Sequence, residues 1–83
     1  MRGDDRILPE LVEYIVKAIV DLPEDVKINE IVGTNTTVIE LSVAKSDLGK
    51  VIGKQGQNAR SLRTLLNAAS TKLGKHSVLE IIE

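Results

Sequence analysis

At 83 residues, with a formal net charge of -1 and no cysteine, the chain is sized for a single domain spanning 1–83 and has neither a disulfide framework nor a thiolate for metal or nucleophilic chemistry. A domain this small buries only about 60% of the surface its unfolded chain exposes, so a deep, solvent-excluded catalytic pocket is hard to build. Met1 to Asp5 is charged and lacks an apolar segment, which argues against a signal peptide or membrane anchor and makes the cytoplasm the expected location.

From Leu8 to Leu22 the residues Leu8, Leu11, Val12, Ile15, Ala18, Ile19 and Leu22 recur at helical spacing, with Glu10, Glu13, Lys17 and Asp21 opposite. This predicts an amphipathic helix with Pro9 in its first turn and Pro23 beyond its end. Val16 and Val20 widen the apolar stripe, which suits a generous core face or a subunit contact. Two β-rich runs follow, Val26 to Val32 and Thr36 to Ala44, joined by Gly33-Thr34-Asn35, whose Gly and Asn tolerate the positive φ of tight turns. In the second run Thr37, Ile39, Leu41 and Val43 alternate with Val38, Glu40, Ser42 and Ala44, so the odd positions face the core. The first run loses phase at Asn29 and Glu30, which predicts a bulge or an early strand end.

Ser46 is placed to cap a short helix containing Leu48, Val51 and Ile52 that stops at Gly53. A longer helix starts near Gln57, presents Ala59, Leu62, Leu65, Leu66, Ala69 and Leu73 on one face, and ends at Gly74. Ser77 to Glu83 supplies a third strand. The order is α-β-β-α-α-β, without repeats or low-complexity segments.

The small net charge hides a separation of signs. Residues 1–44 carry -5, residues 45–75 carry +6, and residues 76–83 carry -2. Lys45, Lys50, Lys54, Arg60, Arg63, Lys72 and Lys75 share their stretch with a single acid, Asp47, which predicts a local positive face suited to an anionic partner.

Within that stretch lies Val51-Ile52-Gly53-Lys54-Gln55-Gly56-Gln57-Asn58. Glycine at both ends of a four-residue loop lets the backbone turn sharply and removes Cβ atoms that would hold a sugar-phosphate chain away. The free N–H groups of the following helix then face a bound anion, helped by the helix dipole. Lys50, Lys54 and Gln55 add charge and hydrogen bonding, and Arg60 and Arg63 extend the positive surface.

Val51-Ile52-Gly53-Lys54-Gln55-Gly56 resembles the V-I-G-x-x-G signature of KH domains, in the strand-helix-GxxG-helix-strand setting those domains use. A helix ahead of the first two strands matches the type II arrangement. The resemblance covers essentially the whole chain and is closest to the stand-alone bacterial KhpA (YlqC-like) family. It implies an α+β KH type II fold, with a three-stranded mixed sheet backed by three helices. It also implies a groove for about four nucleotides of single-stranded RNA beside the GxxG loop. Gly53, Lys54, Gln55 and Gly56 would clamp the backbone, with Gln57 and Asn58 at the helix start, and Ile52 with Ile39 or Leu41 would form an apolar groove floor. The family further implies self-association, pairing with a larger multidomain KH protein, and work as an RNA chaperone or regulator linked to cell-envelope growth. No cofactor, metal, membrane or small-molecule substrate is implied. With no Trp or Phe, and with Tyr14 far from the loop in sequence, base stacking on aromatic rings is not expected to drive binding, so sequence preference should be low.

Other chemistries fit less well. Gly49 to Lys54 approaches a P-loop, but one intervening residue is missing and Gln55 stands where Ser or Thr is required. No G-x-G precedes the spaced glycine of a dinucleotide fingerprint. His76 has no metal-ligating or catalytic neighbours in sequence, and Ser61, Thr64, Ser70 and Thr71 have no nearby histidine to activate them. An enzyme is therefore not expected. The rival reading is a protein-interaction module working through the wide stripe on the first helix.

Overall fold

The computed structural model describes residues 4–83. The reading of the N-terminus as charged and non-anchoring falls on Met1 to Asp5, whose first three residues and remaining side chains lie outside the described residues. The elements are α1 (Asp4–Ile19), β1 (Lys27–Val32), β2 (Thr37–Ser42), α2 (Leu48–Ile52), α3 (Gln57–Lys72) and β3 (Ser77–Ile81), with short 3-10 turns at Pro23–Asp25, Lys45–Asp47 and Lys54–Gly56. The sheet has the order β1-β2-β3, antiparallel between β1 and β2 and parallel between β2 and β3. The expected α+β fold, with a mixed three-stranded sheet and three helices, is thus present.

The core forms where the helices meet one face of the sheet. Ile39, Leu41 and Leu79 from the strands pack with Val12 and Val16 of α1, Val51 of α2 and Leu62 and Leu66 of α3. Ile39 pairs with Leu79 across the parallel ladder, so alternate residues turn to the opposite face, where Val78 and Glu80 are exposed. Helices therefore cover one face of the sheet only.

α1 begins a turn earlier than its apolar periodicity marks, and Pro9 lies inside it rather than in the first turn. Periodicity detects only a buried face, and Arg6 and Ile7 are exposed; Arg6 instead pairs with Glu10 at 3.7 Å. Its buried line is Leu8, Val12 and Val16, continued by Val20 just past its end, while Ala18 is exposed. Val16 and Val20 are thus core residues, and they are not available as a subunit contact. β1 pairs residue for residue with β2 from Lys27–Ser42 to Val32–Thr37, so the expected bulge is absent. The phase is lost for a different reason: β1 is an edge strand on which only Ile28 is partly covered, so nothing enforces alternation. In the hairpin neither Gly33 nor Asn35 has positive φ. Gly33 is instead needed because a Cβ there would meet the Thr36 carbonyl oxygen at 2.7 Å. Leu65, expected on the core face of α3, is 52% exposed. The end of α3 follows expectation: Gly74 N–H donates to the Thr71 carbonyl and Lys75 N–H to the Ser70 carbonyl, the paired bonds of a Schellman cap.

Asp47, not Ser46, stands at the N-cap of α2, and its side chain does not cap that helix. The side chain is fully buried and accepts from Asp21 N–H at 3.1 Å and Leu22 N–H at 2.9 Å. These amides would have continued α1; Asp47 takes them, and the helix ends at Ile19, a turn before the expected Leu22. Lys50 adds an ion pair to Asp21 at 3.2 Å on the surface above.

Two outcomes follow from this packing. Leu66→Asp places a charge at a site only 2% exposed, and the variant is expected to lose its cooperative melting transition. Asp47→Ala leaves two amides without their charged acceptor and should lower unfolding free energy by about 2–4 kcal/mol, measured by urea denaturation.

Candidate nucleic-acid interface

The loop between α2 and α3 is set by its glycines. Gly53, the C-cap of α2, has φ 79° and ψ 172°, and Gly56, the N-cap of α3, has φ 74°. Gln55 between them also lies in the left-handed region, at φ 56°. A non-glycine residue there costs roughly 1–2 kcal/mol, so the turn is held by its surroundings. Gly56 N–H donates to the Gly53 carbonyl at 3.1 Å, and the Arg60 guanidinium reaches the Gln55 carbonyl at 3.4 Å.

The two glycines serve different purposes. A Cβ at Gly53 would meet Cγ of Asn58 at 2.7 Å and its backbone nitrogen at 2.8 Å, so the space is filled from within the chain. Nothing lies within 4 Å of a Cβ built at Gly56. The expectation that glycine keeps the backbone open to a ligand therefore fits Gly56, whereas Gly53 is fixed by internal packing. Asn58 is correspondingly not a free hydrogen-bonding group: its side-chain amide donates to the Lys50 carbonyl at 2.8 Å, satisfying the end of α2.

Four of the ten expected site residues come together in one cleft. Ile52, Gly56, Arg60 and Arg63 line a cleft of about 390 Å³ with Ala59, Ile81 and Glu83. Lys54, Gln55 and Gln57 are exposed next to Gly56 in the chain but do not line the cleft. Lys50 stands on α2 with its ammonium on Asp21, an exposed pair worth no more than about 1 kcal/mol that readily yields to an anion. The N-terminus of α3 has no side-chain cap; its first amide, Gln57 N–H, donates back to the Lys54 carbonyl. Ile39 and Leu41 do not reach the cleft; both are 0% exposed, and the apolar floor is Ile52 and Ile81 instead. The signal for Ile81 lay in the third strand, which had to be placed beside α3 before its role could be seen.

β3 contributes its open edge. Thr37 N–H donates to the His76 carbonyl and Ile82 N–H to the Leu41 carbonyl, so even-numbered residues direct their peptide groups at β2. Leu79 and Ile81 therefore turn theirs to the free edge. The Arg63 guanidinium lies against that edge, with Nε donating to the Leu79 carbonyl at 3.4 Å.

The basic stretch divides. Lys72 and Lys75 lie at the far end of α3, roughly 24 Å along the helix from the loop. A larger cleft of about 700 Å³ is found at that end, lined by the β1–β2 hairpin and Gly74 to His76. It lacks the arginines and the helix N-terminus of the first cleft. His76 is exposed there and its Nδ1 is 3.0 Å from the Thr36 hydroxyl. Thr64, Ser70 and Thr71 donate to carbonyls one turn earlier in α3. Tyr14, 78% exposed on α1, does not line the loop cleft. Among the described residues no cluster of His, Cys, Asp and Glu could hold a metal ion, and no helix is long and apolar enough to cross a membrane.

The unequal glycines give a test. Gly53→Ala combines left-handed strain with a clash against Asn58 and should cost upwards of about 3 kcal/mol, whereas Gly56→Ala meets only the strain, about 1–2 kcal/mol. Denaturant midpoints of the two variants measure the difference.

This geometry matches a known family. Residues 9–81 match the model of the KhpA/KhpB KH domain. The chain is 51% identical over 75 residues to the RNA-binding protein KhpA of Clostridium perfringens, covering 90% of this chain and all of that one. It is 53% identical over 76 residues to the RNA-binding protein KhpA of Aquifex aeolicus, covering 92% and 96%. Among solved structures, a variant of Aquifex aeolicus Era bound to GDP and AlF4- aligns with a TM-score of 0.59 and 25% identity; the match covers 90% of this chain and 29% of Era's. With its loop, helices and mixed sheet arranged as described, the chain belongs to the KhpA/KhpB KH-domain family.

Proposed function

We propose that the protein binds single-stranded RNA with low sequence preference, gripping the backbone of about four nucleotides on the loop Gly53-Lys54-Gln55-Gly56. The observation that carries this reading is an uncapped helix N-terminus, opened by Gly56, at the mouth of a cleft walled by Arg60 and Arg63. A helix N-terminus without a side-chain cap beside two guanidinium groups suits phosphate oxygens, and the helix dipole favours the same charge. The relatives' name, RNA-binding protein KhpA, supports the same ligand. With no aromatic residue in the cleft, affinity rests on backbone contacts, which read little sequence.

A single such site is weak, and two sites joined in a dimer, or with a larger KH protein, gain through effective concentration. Self-association, the chaperone or regulatory role, the link to cell-envelope growth and a cytoplasmic location are parts of this proposal that rest on the family. The interaction-module reading loses Val16 and Val20 from its surface, since both are buried in the core.

The test compares the natural protein with a Lys54→Asp/Gln55→Asp double variant on a short unstructured RNA. Both glycines remain, and aspartate tolerates the left-handed conformation at position 55 better than most residues, so melting should be normal. The natural protein should lose roughly 20- to 50-fold in affinity between about 50 and 200 mM salt, as three or four phosphate contacts dictate, and the variant should lose that salt-sensitive binding. Equal binding by both would assign the affinity to the basic face without the loop. Binding by neither would return the interaction module.

A further inference from the structure

The sheet face turned away from the helices carries an ordered pattern. Ile31 of β1, Val38 of β2 and Val78 of β3 are partners across the two ladders, so their side chains form one apolar row running across all three strands. Ile31 is 48% and Val78 43% exposed, and the row lies open. The next row along the strands on the same face is Asn29, Glu40 and Glu80. Glu40 and Glu80 stand in register, an arrangement of like charges that weakens a sheet. The Asn29 amide donates to Glu40 at 3.0 Å, and among the described residues neither carboxylate has an ion pair. A local rule broken on an exposed face, beside an apolar row, marks a contact surface whose counter-charge comes from outside the chain.

The dimensions select the occupant. Neighbouring strands lie about 4.8 Å apart, so the row is about 10 Å long. Successive turns of an α-helix are about 5.4 Å apart, so a helix laid along the row sets one apolar residue over each strand. The acidic row lies about 7 Å to one side, within reach of a lysine or arginine on the flank of that helix. RNA is repelled by the two carboxylates. A second copy stacked on the same face fails on charge as well. Matching the apolar rows leaves each acidic row on the side of the uncharged hairpin Gly33 to Thr36, and matching the acidic rows sets glutamate on glutamate.

We propose that the outer face of the sheet docks an amphipathic helix of a partner protein, with its apolar stripe on Ile31, Val38 and Val78 and a flanking Lys or Arg on Glu40 and Glu80. None of these residues lines the loop cleft, so a bound helix leaves that cleft open, and the inference does not depend on the RNA-binding reading.

The probe is a synthetic helical peptide of about 18 residues, with leucine at i, i+4, i+7 and i+11 and lysines along one flank. A second peptide carries glutamate in place of the lysines. Each is titrated into the isotope-labelled protein, and amide shifts are followed by NMR. The lysine peptide should saturate at roughly micromolar concentration, with its largest shifts at Ile31, Val38, Glu40, Val78 and Glu80, and the glutamate peptide should bind at least about tenfold more weakly. Glu40→Gln/Glu80→Gln and, separately, Ile31→Thr/Val78→Thr should each weaken the lysine peptide about tenfold. These positions lie on the outer face and threonine suits a strand, so both variants should melt normally. Glu10→Gln/Glu13→Gln, the same charge change on α1, should leave the affinity within about twofold. Shifts that map elsewhere, no saturation, or equal weakening by the α1 control overturns the inference and leaves the RNA-binding reading intact. So does a concentration-dependent dimer of the free protein that Ile31→Thr/Val78→Thr abolishes, which assigns the face to a second copy.

Discussion

The fold turns on a carboxylate that never meets solvent. Asp47 accepts from the amides of Asp21 and Leu22, twenty-five and more residues earlier, and so joins the end of α1 to the start of α2. That junction fixes where α1 stops, where the chain turns toward β1, and the base from which the five-residue α2 projects. A helix this short has little stability of its own, and a loop mounted on it is only as well placed as its attachment. Val51 seats α2 in the core from within, Asp47 ties its N-terminal end, and Asn58 holds its C-terminal carbonyl from α3. The loop is therefore supported on both sides by residues that need not touch a ligand themselves.

The burial of Asp47 also settles the electrostatics. It is the only acid between residues 45 and 75, and it is withdrawn from the surface and spent on backbone amides. The basic residues around the loop consequently face solvent without a carboxylate from their own stretch. A protein with a net charge of -1 can thus present an anion-binding surface, because field strength depends on the arrangement of charge near the cleft rather than on the total.

What was legible in the sequence was whatever local pattern encodes. The order of elements, the alternation that buries Ile39 and Leu41, the glycine-bounded loop and the cap at Gly74 all follow from periodicity and turn chemistry. What escaped was set by tertiary placement. Asp47 reads as an ordinary surface acid until α1 is brought against it. Asn58 reads as a ligand group until its amide is seen on the Lys50 carbonyl. Ile39 and Leu41 could be placed on the floor of the groove only while the third strand had no position, and Leu65 follows helical spacing yet is exposed. The lost phase of β1 misled because exposure, not a bulge, relaxed its pattern.

The Arg63 contact with the Leu79 carbonyl bears on a different property. A sheet ending in an unpaired strand offers a row of peptide groups on which another chain can extend it, and proteins that persist at high concentration must guard such rows. Here a long cationic side chain from the helix beside β3 leans across the row and occupies one of its acceptors. Any chain adding to that edge would have to displace the guanidinium and approach its charge. The same arginine that lines the cleft thus acts as a gatekeeper against aggregation, so that solubility and ligand recognition are borne by one edge and are not free to vary separately.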